Sequence, residues 1–150
     1  DDPRLTLYSQ DGVAFVKNPP RKYDLVVVDS SDPVGPAQQL FTREFYANVY
    51  KCLKDDGMMV VQSESPLFYR EVFSSVYRNI DSAFPRTQVY LACIPTYVSG
   101  PWSFTIGSKV YDPRQASGDR STINDLKYYN DQVHAAAFAL PGFIRDMLRD

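Results

Sequence analysis

The sequence predicts an α/β protein in which the chain forms the second half of a doubly wound sheet. Two stretches, Tyr23–Asp29 (YDLVVVD) and Met58–Gln62 (MMVVQ), are nearly unbroken apolar runs, typical of strands that are covered on both faces in a parallel sheet. A helical pattern follows each of them. Two more strand-like stretches then lie close together in the sequence, which predicts an antiparallel pair near the end of a mostly parallel sheet. A complete sheet of this kind needs further strands before residue 1.

The first elements of the chain are short. Leu5–Tyr8 alternates apolar and polar residues and is predicted to be a strand that ends at the turn Gln10–Gly12. Val13–Val16 is predicted to begin a short helix. Phe41–Lys54 carries apolar residues four positions apart, which predicts an amphipathic helix, and Asp55–Gly57 is expected to stop it.

The middle of the chain predicts one helix and the antiparallel strands. Ser65 and Pro66 have the residue types of an N-cap and a first helical position, and the helix is expected to end before Phe84. Thr87–Ile94 and Trp102–Ser108 are predicted strands. Because the connection between them is short and contains proline and glycine, no helix fits there and the two strands are expected to pair.

The last part of the chain predicts a loop and two helices. Residues 110–122 are polar and are predicted to form an exposed loop. Asn130 is a predicted N-cap for a helix through Leu140, and Pro141 opens a last short helix.

Composition indicates a globular domain and disfavours some functions. The chain has 150 residues, 44% hydrophobic and 23% charged, which fits one domain. The net charge is −2 and the sixteen basic residues are scattered, so no nucleic-acid partner is expected. No apolar run has the length of a membrane span, so no membrane partner is expected either. Cys52 and Cys93 lie outside any CxxC motif, which predicts two buried, reduced thiols in a cytoplasmic protein.

Polar side chains follow three successive predicted strands. Asp11 follows the first, Asp29 and Asp32 follow the second, and Gln62 and Glu64 follow the third. Because ligands of open α/β sheets bind beyond the carboxyl ends of the strands, this convergence predicts an active site at one rim of the sheet.

The residue types at this rim leave several interpretations open. An aspartate before serine, proline or glycine is often only a turn former or a helix cap. Clustered carboxylates also suit Mg²⁺ or Ca²⁺, although the spacing matches no EF-hand. A cationic organic ligand fits equally well, because the carboxylates are accompanied by the aromatic rings of Tyr69, Tyr97 and Trp102. The single histidine, His134, lies in an alanine-rich helical stretch and is interpreted as a structural hydrogen-bonding residue.

Four long blocks of the sequence resemble the spermidine synthase (polyamine aminopropyltransferase) family. They are YDLVVVDSSDPVGPAQQLF, LKDDGMMVVQSES, IPTYVSGPWSFTIGSK and LKYYNDQVHAAAFALPGF, in the order of that family. The resemblance implies a Rossmann-like, methyltransferase-type sheet, of which residues 1–150 form a single partial catalytic domain. The family's amino-terminal β domain and glycine-rich nucleotide motif have no counterpart in the sequence and are expected to precede residue 1.

The resemblance also implies an activity. Members of the family transfer an aminopropyl group from decarboxylated S-adenosylmethionine to a diamine, usually putrescine, which yields spermidine and methylthioadenosine. The implied partners are these two small molecules, with no metal and no cofactor, in a homo-oligomer (a dimer or tetramer) of the full-length enzyme. Two alternatives stay open: an aminopropyltransferase for another acceptor, such as agmatine, cadaverine or a longer polyamine, and a non-catalytic assembly module. The chain alone is expected to have little or no activity.

The resemblance assigns a role to each matching residue. Asp29 matches the catalytic aspartate that takes a proton from the attacking amine. Asp32 matches the aspartate that holds the diamine, and Tyr97 matches the tyrosine that positions it. The other residues that it assigns to the acceptor site are Gln62, Ser30 and Trp102. The residues that it assigns to the nucleotide are Asp11, Gly12, Pro36, Ala37 and Leu40.

Overall fold

A four-stranded mixed sheet forms the centre of the protein. The computed structural model describes residues 2–97, 100–115 and 125–149. The strands of the sheet are β1 (Tyr23–Val28), β2 (Leu53–Gln62), β3 (Arg86–Ala92) and β4 (Trp102–Ser108). Their order across the sheet is β1-β2-β4-β3.

Three of the four strands run in the same direction. β1 pairs with β2 in parallel, whereas β4 lies antiparallel to both β2 and β3. The predicted antiparallel pair is therefore confirmed, and β4 is the reversed strand. The register places Gln62, Phe104 and Tyr90 side by side across β2, β4 and β3.

Within the described residues, five α-helices and one 3₁₀ helix accompany the sheet. The α-helices are α1 (Gly12–Lys17), α2 (Arg43–Cys52), α3 (Arg70–Asp81), α4 (Asp131–Ala137) and α5 (Gly142–Met147), and the 3₁₀ helix is Gly35–Phe41. Three of the helices begin at side-chain caps, because Asp11, Thr42 and Asn130 each accept a hydrogen bond from the backbone N–H three residues on. The predicted N-cap at Asn130 is confirmed.

The apolar core lies on one face of the sheet. Its larger cluster joins α2 and α3 to the strands, and fully buried members include Tyr46, Val49 and Met59. A second cluster packs α5 against α3 and β3 through Ile144 and Phe73. Because these helices pack on one face of the sheet, the opposite face of β1 and β2 is free for a site.

The predicted strand Leu5–Tyr8 is wrong. These residues have no regular secondary structure, and the Leu7 side chain is 84% exposed. The described strand nearest in sequence, β1, pairs with β2 only, so this stretch finds no backbone partner. An alternating pattern predicts a strand only where a neighbouring strand exists to pair with it.

The predicted helix Phe41–Lys54 divides into three elements. Phe41 ends the 3₁₀ helix, α2 covers Arg43–Cys52, and β2 begins at Leu53. Leu53 already has extended backbone angles, φ −84° and ψ 152°, and it pairs with Tyr23 of β1. The helix thus ends before the predicted stop at Asp55–Gly57, because pairing with β1 outweighs the local turn signal.

The predicted start of the next helix at Ser65 and Pro66 is also wrong. Helix α3 begins at Arg70. Ser65 instead begins a turn, in which the Ser65 carbonyl accepts a hydrogen bond from Tyr69 N at 2.9 Å. The other ends differ by a few residues: β3 ends at Ala92 rather than Ile94, and α4 ends at Ala137 rather than Leu140.

Two predictions of burial are corrected. β1 is not covered on both faces, because Leu25 is 52% exposed and Val27 is 64% exposed. Of the two cysteines, Cys52 is buried and Cys93 is exposed just after the end of β3. Both corrections concern positions at the border of the sheet.

Of the predicted loop 110–122, residues 116–122 lie outside the described part of the chain.

Candidate active site

A cavity of about 770 Å³ opens at one rim of the sheet. Asp29 follows the last residue of β1, and Gln62 is the last residue of β2. Trp102 is the first residue of β4, and because that strand is reversed, its start lies at the same rim. The cavity brings together every residue that the resemblance assigns to the acceptor site: Asp29, Ser30, Asp32, Gln62, Tyr97 and Trp102.

The cavity contains one buried carboxyl group, Glu64. Its side chain is 1% exposed, and Oε1 accepts a hydrogen bond from Gln62 Nε2 at 3.1 Å. Within the described residues, Oε2 has no hydrogen-bond partner. Burial raises the pKa of the Glu64 carboxyl above 4.5 and the charge of Asp32 raises it further, while the hydrogen bond from Gln62 lowers it. By contrast, Asp29 and Asp32 are exposed to solvent at the mouth.

Aromatic rings line the cavity together with the carboxylates. The Tyr97 and Trp102 rings lie 4.3 Å apart between centroids. Tyr90 and Phe104, which are register partners on β3 and β4, are stacked at 5.0 Å with an interplanar angle of 12°. Carboxylates and aromatic rings in one cavity suit a ligand that carries ammonium groups on an apolar chain.

A second cavity, of about 470 Å³, adjoins the first. The two cavities share four lining residues, Val27, Val28, Asp29 and Ser30. The second cavity is also lined by Gly12 and Leu40, two of the residues assigned to the nucleotide, along with the Tyr8 and Phe15 rings. Asp29 therefore lies where two binding spaces meet.

Three residues assigned to the nucleotide lie elsewhere. Asp11 precedes Gly12, but its carboxylate caps α1 by accepting a hydrogen bond from Ala14 N at 2.9 Å. Pro36 and Ala37 belong to the 3₁₀ helix and line neither of the two cavities. The expectation that three strands deliver carboxylates to the rim holds for β1 and β2 only, since the described residues before Asp11 form no strand.

Sequence reasoning missed part of the lining of the 770 Å³ cavity. Tyr90, Phe104 and Phe68 line it, and none of them was predicted as a site residue. Tyr90 and Phe104 share a face with Gln62 because the register pairs them across the sheet, and that register is invisible in the sequence. The alternation within Trp102–Ser108 does place Phe104 on the face of Trp102, which was the one usable signal.

The described residues contain neither a metal-binding cluster nor a membrane-spanning helix. No three His, Cys, Asp or Glu side chains are grouped so that they could hold a metal ion, so no metal is assigned to them. None of the described helices combines the length and the apolar character needed to cross a membrane.

His134 has the predicted structural role, since its Nδ1 lies 3.0 Å from the Tyr129 hydroxyl.

The geometry defines an α/β protein with a cavity of carboxylates and aromatic rings at one rim of its sheet, beside a second cavity. The family model described as the spermine/spermidine synthase domain matches residues 1–115. The polyamine aminopropyltransferase of Caldicellulosiruptor bescii is 46% identical over 149 residues, which is 99% of this chain and 54% of that protein.

Solved structures give the same result. A spermidine synthase in complex with the transition state analogue AdoDATO has a TM-score of 0.88 and 39% identity, over 99% of this chain and 52% of that one. The spermidine synthase from Thermotoga maritima has a TM-score of 0.86 and 39% identity, over 99% and 51%. These matches confirm the predicted Rossmann-like α/β class. The chain belongs to the spermine/spermidine synthase domain family, and it spans about half the length of these relatives.

Proposed function

We propose that this chain carries the acceptor site and the catalytic base of a polyamine aminopropyltransferase. The acceptor is a diamine, with putrescine as the first candidate, and the donor is decarboxylated S-adenosylmethionine. One observation supports this most directly: Asp29 and Ser30 line both of the adjoining cavities. A group transferred between two substrates must pass the point where their binding spaces meet.

The lining of each cavity fits one substrate. The larger cavity combines Asp32 and Glu64 with aromatic rings, which suits an extended diamine that carries a charge at each end. The smaller one is lined by Leu40, Val26 and Phe15, which suits a flat purine ring. The assignment of Gly12 and Leu40 to the nucleotide is supported by their position there. For Asp11, Pro36 and Ala37 the same assignment stays a prediction.

The chemistry needs a proton acceptor and alignment. An alkylammonium group has a pKa of about 10, like lysine, so the amine must lose a proton before it attacks. Its nitrogen then bonds to the propyl carbon attached to the sulfonium, and the carbon–sulfur bond breaks. The bonding electrons pass to sulfur, which leaves as the neutral thioether of methylthioadenosine. The Asp29 carboxylate holds the one proton that the ammonium group gave up, and the new secondary amine leaves as its ammonium ion. Because the sulfonium is already a good leaving group, positioning supplies much of the rate, and no metal or redox cofactor is required.

The test measures release of methylthioadenosine. Because the chain spans about half of its relatives, we join it to the preceding part of the Caldicellulosiruptor bescii enzyme and assay the hybrid with putrescine. Asp29→Asn is expected to lower kcat by about 10²- to 10⁴-fold, with a much smaller change in the KM for the donor. Asp81→Asn, at an exposed position at the end of α3, is the matched control. An equal loss in kcat and in donor affinity would contradict the role of Asp29 as base.

The same assay separates the alternative acceptors. Putrescine, cadaverine, agmatine and spermidine are compared by kcat/KM, and the highest value identifies the acceptor. A hybrid that binds diamines but releases no methylthioadenosine with any of them would favour the non-catalytic module.

A further inference from the structure

The side-chain amide of Gln62 has all of its hydrogen-bonding positions filled by the protein itself. Its Nε2 donates to Ser30 O at 3.3 Å and to Glu64 Oε1 at 3.1 Å. Its Oε1 accepts from Trp102 Nε1 at 3.2 Å and from Glu64 N at 3.1 Å. A glutamine amide has two N–H donors and two lone pairs, so no position is left for a ligand.

These four partners determine the orientation of the amide. Exchanging its oxygen and nitrogen would turn an N–H towards two donors, Trp102 Nε1 and the Glu64 backbone N–H. It would also turn the oxygen towards two acceptors, Ser30 O and Glu64 Oε1. The side chain is buried, so water does not replace the lost bonds, and one orientation is strongly preferred.

The bonds connect the groups that make up the site. Ser30 is the residue directly after Asp29, so the bond to its carbonyl holds the loop of the base. Trp102 holds the Tyr97 ring against its own at 4.3 Å between centroids. The two bonds to Glu64 hold its backbone and its carboxylate. One amide thus links the rim ends of β1, β2 and β4.

We propose that Gln62 is a positioning residue: it sets the Asp29 loop, the Trp102–Tyr97 pair and the Glu64 carboxylate relative to one another, and it does not bind the acceptor itself. This proposal rests on the proposed function, because the proposed function gives the groups that Gln62 positions their roles. It departs from the assignment of Gln62 as a substrate-binding residue, because contact with an amine would break one of the four bonds.

The first test reads the two sides of the amide separately by NMR of the ligand-free chain. Trp102 is the single tryptophan, so its indole N–H gives one unambiguous resonance. The backbone N–H of Ser31 follows the Ser30 carbonyl and responds to its hydrogen bond. Gln62→Met removes donor and acceptor and is expected to shift both resonances. Gln62→Glu keeps an oxygen acceptor for Trp102 but leaves no donor for the Ser30 carbonyl, so it is expected to shift Ser31. The control Gln132→Met, at an exposed position of α4, shifts neither resonance.

The outcomes decide the proposal without any turnover. A Trp102 resonance that stays in place in Gln62→Met, or a Ser31 resonance that stays in place in Gln62→Glu, would overturn it. If Gln62→Met does not fold, the pattern in Gln62→Glu still decides. These spectra do not depend on catalysis, so failure of the proposed function would appear in the methylthioadenosine assay alone.

A second test gives the kinetic consequence in the hybrid enzyme. Gln62→Met is expected to lower kcat by about 10- to 100-fold, because the base and the amine lose alignment, and to change the putrescine KM much less. A rise in KM with kcat unchanged would indicate direct contact with the acceptor and would overturn the positioning role.

Discussion

Glu64 shows how one residue can be held in an unfavourable conformation beside a site. Its φ is +66°, a left-handed value that costs a residue other than glycine about 1–3 kcal/mol. The Glu64 carbonyl accepts hydrogen bonds from Ser103 Oγ at 2.6 Å and from Ser103 N at 3.1 Å, while its N–H donates to Gln62. These bonds offset the strain, and the result is a carboxyl group turned into the cavity rather than into solvent.

The raised pKa of Glu64 predicts a pH dependence of stability. A carboxyl whose pKa is raised by folding favours the folded state when protonated, and that contribution is lost as the pH rises from about 4.5 through the folded value. We therefore expect Glu64→Gln to gain stability relative to the wild type on going from pH 4 to pH 7. Urea unfolding at a series of pH values measures this, with exposed Glu71→Gln as the control. A difference that does not change with pH would contradict it.

At the scale of elements, the packing of α3 on β4 depends on a glycine. A Cβ built on Gly107 would lie 2.7 Å from the ring of Phe84 and 3.0 Å from Ile80 Cγ2. Both neighbours are buried in the core and cannot move aside freely. The strand that carries Trp102 to the rim can therefore approach the end of α3 only with glycine at this position.

Gly107→Ala is expected to lower the free energy of unfolding by about 1–3 kcal/mol, because the added methyl overpacks the core. The matched control is Gly142→Ala, at the start of α5, where an added Cβ meets nothing within 4 Å. That change is expected to be neutral or to stabilise by up to about 1 kcal/mol. Urea unfolding compares the two variants, and equal stabilities would show that Phe84 and Ile80 accommodate the methyl.

At the scale of the whole molecule, β1 is an edge strand of the described sheet with apolar side chains on its open face. Leu25 is 52% exposed and Val27 is 64% exposed. Exposed edge strands with apolar faces are ready sites for association with another chain. The predicted homo-oligomer of the full-length enzyme stays a prediction.

We expect this chain by itself to associate increasingly as its concentration rises. Leu25→Lys should weaken the association, because a lysine on an edge strand is costly to bury between two copies. Leu126→Lys changes a leucine of similar exposure, 48%, and should not weaken it. Analytical ultracentrifugation measures both variants. A chain that stays monomeric at all concentrations would contradict the expectation.

The extent of the sequence prediction differs between the centre and the border of the sheet. Tyr23–Asp29 and Met58–Gln62 were predicted as strands from their short apolar runs, and Trp102–Ser108 from its alternating pattern. All three stretches form strands in the structure. The predicted strand at Leu5–Tyr8 and the predicted end of α2 were wrong, because both depend on whether a partner strand lies alongside. The acceptor cavity was predicted through Asp29, Asp32 and Gln62 but not through its wall of Tyr90 and Phe104.

The sequence by itself determined the α/β class, the strand ends that carry Asp29 and Gln62, and the family, because these follow from local residue order. Only the tertiary structure decided the register that aligns Gln62 with Phe104, the burial of Glu64 and the closed hydrogen bonding of the Gln62 amide. Each of these depends on contacts between strands far apart in the chain. A sequence specifies such contacts only through the packing of the whole sheet, so the distinction between a residue that binds and one that positions becomes visible only there.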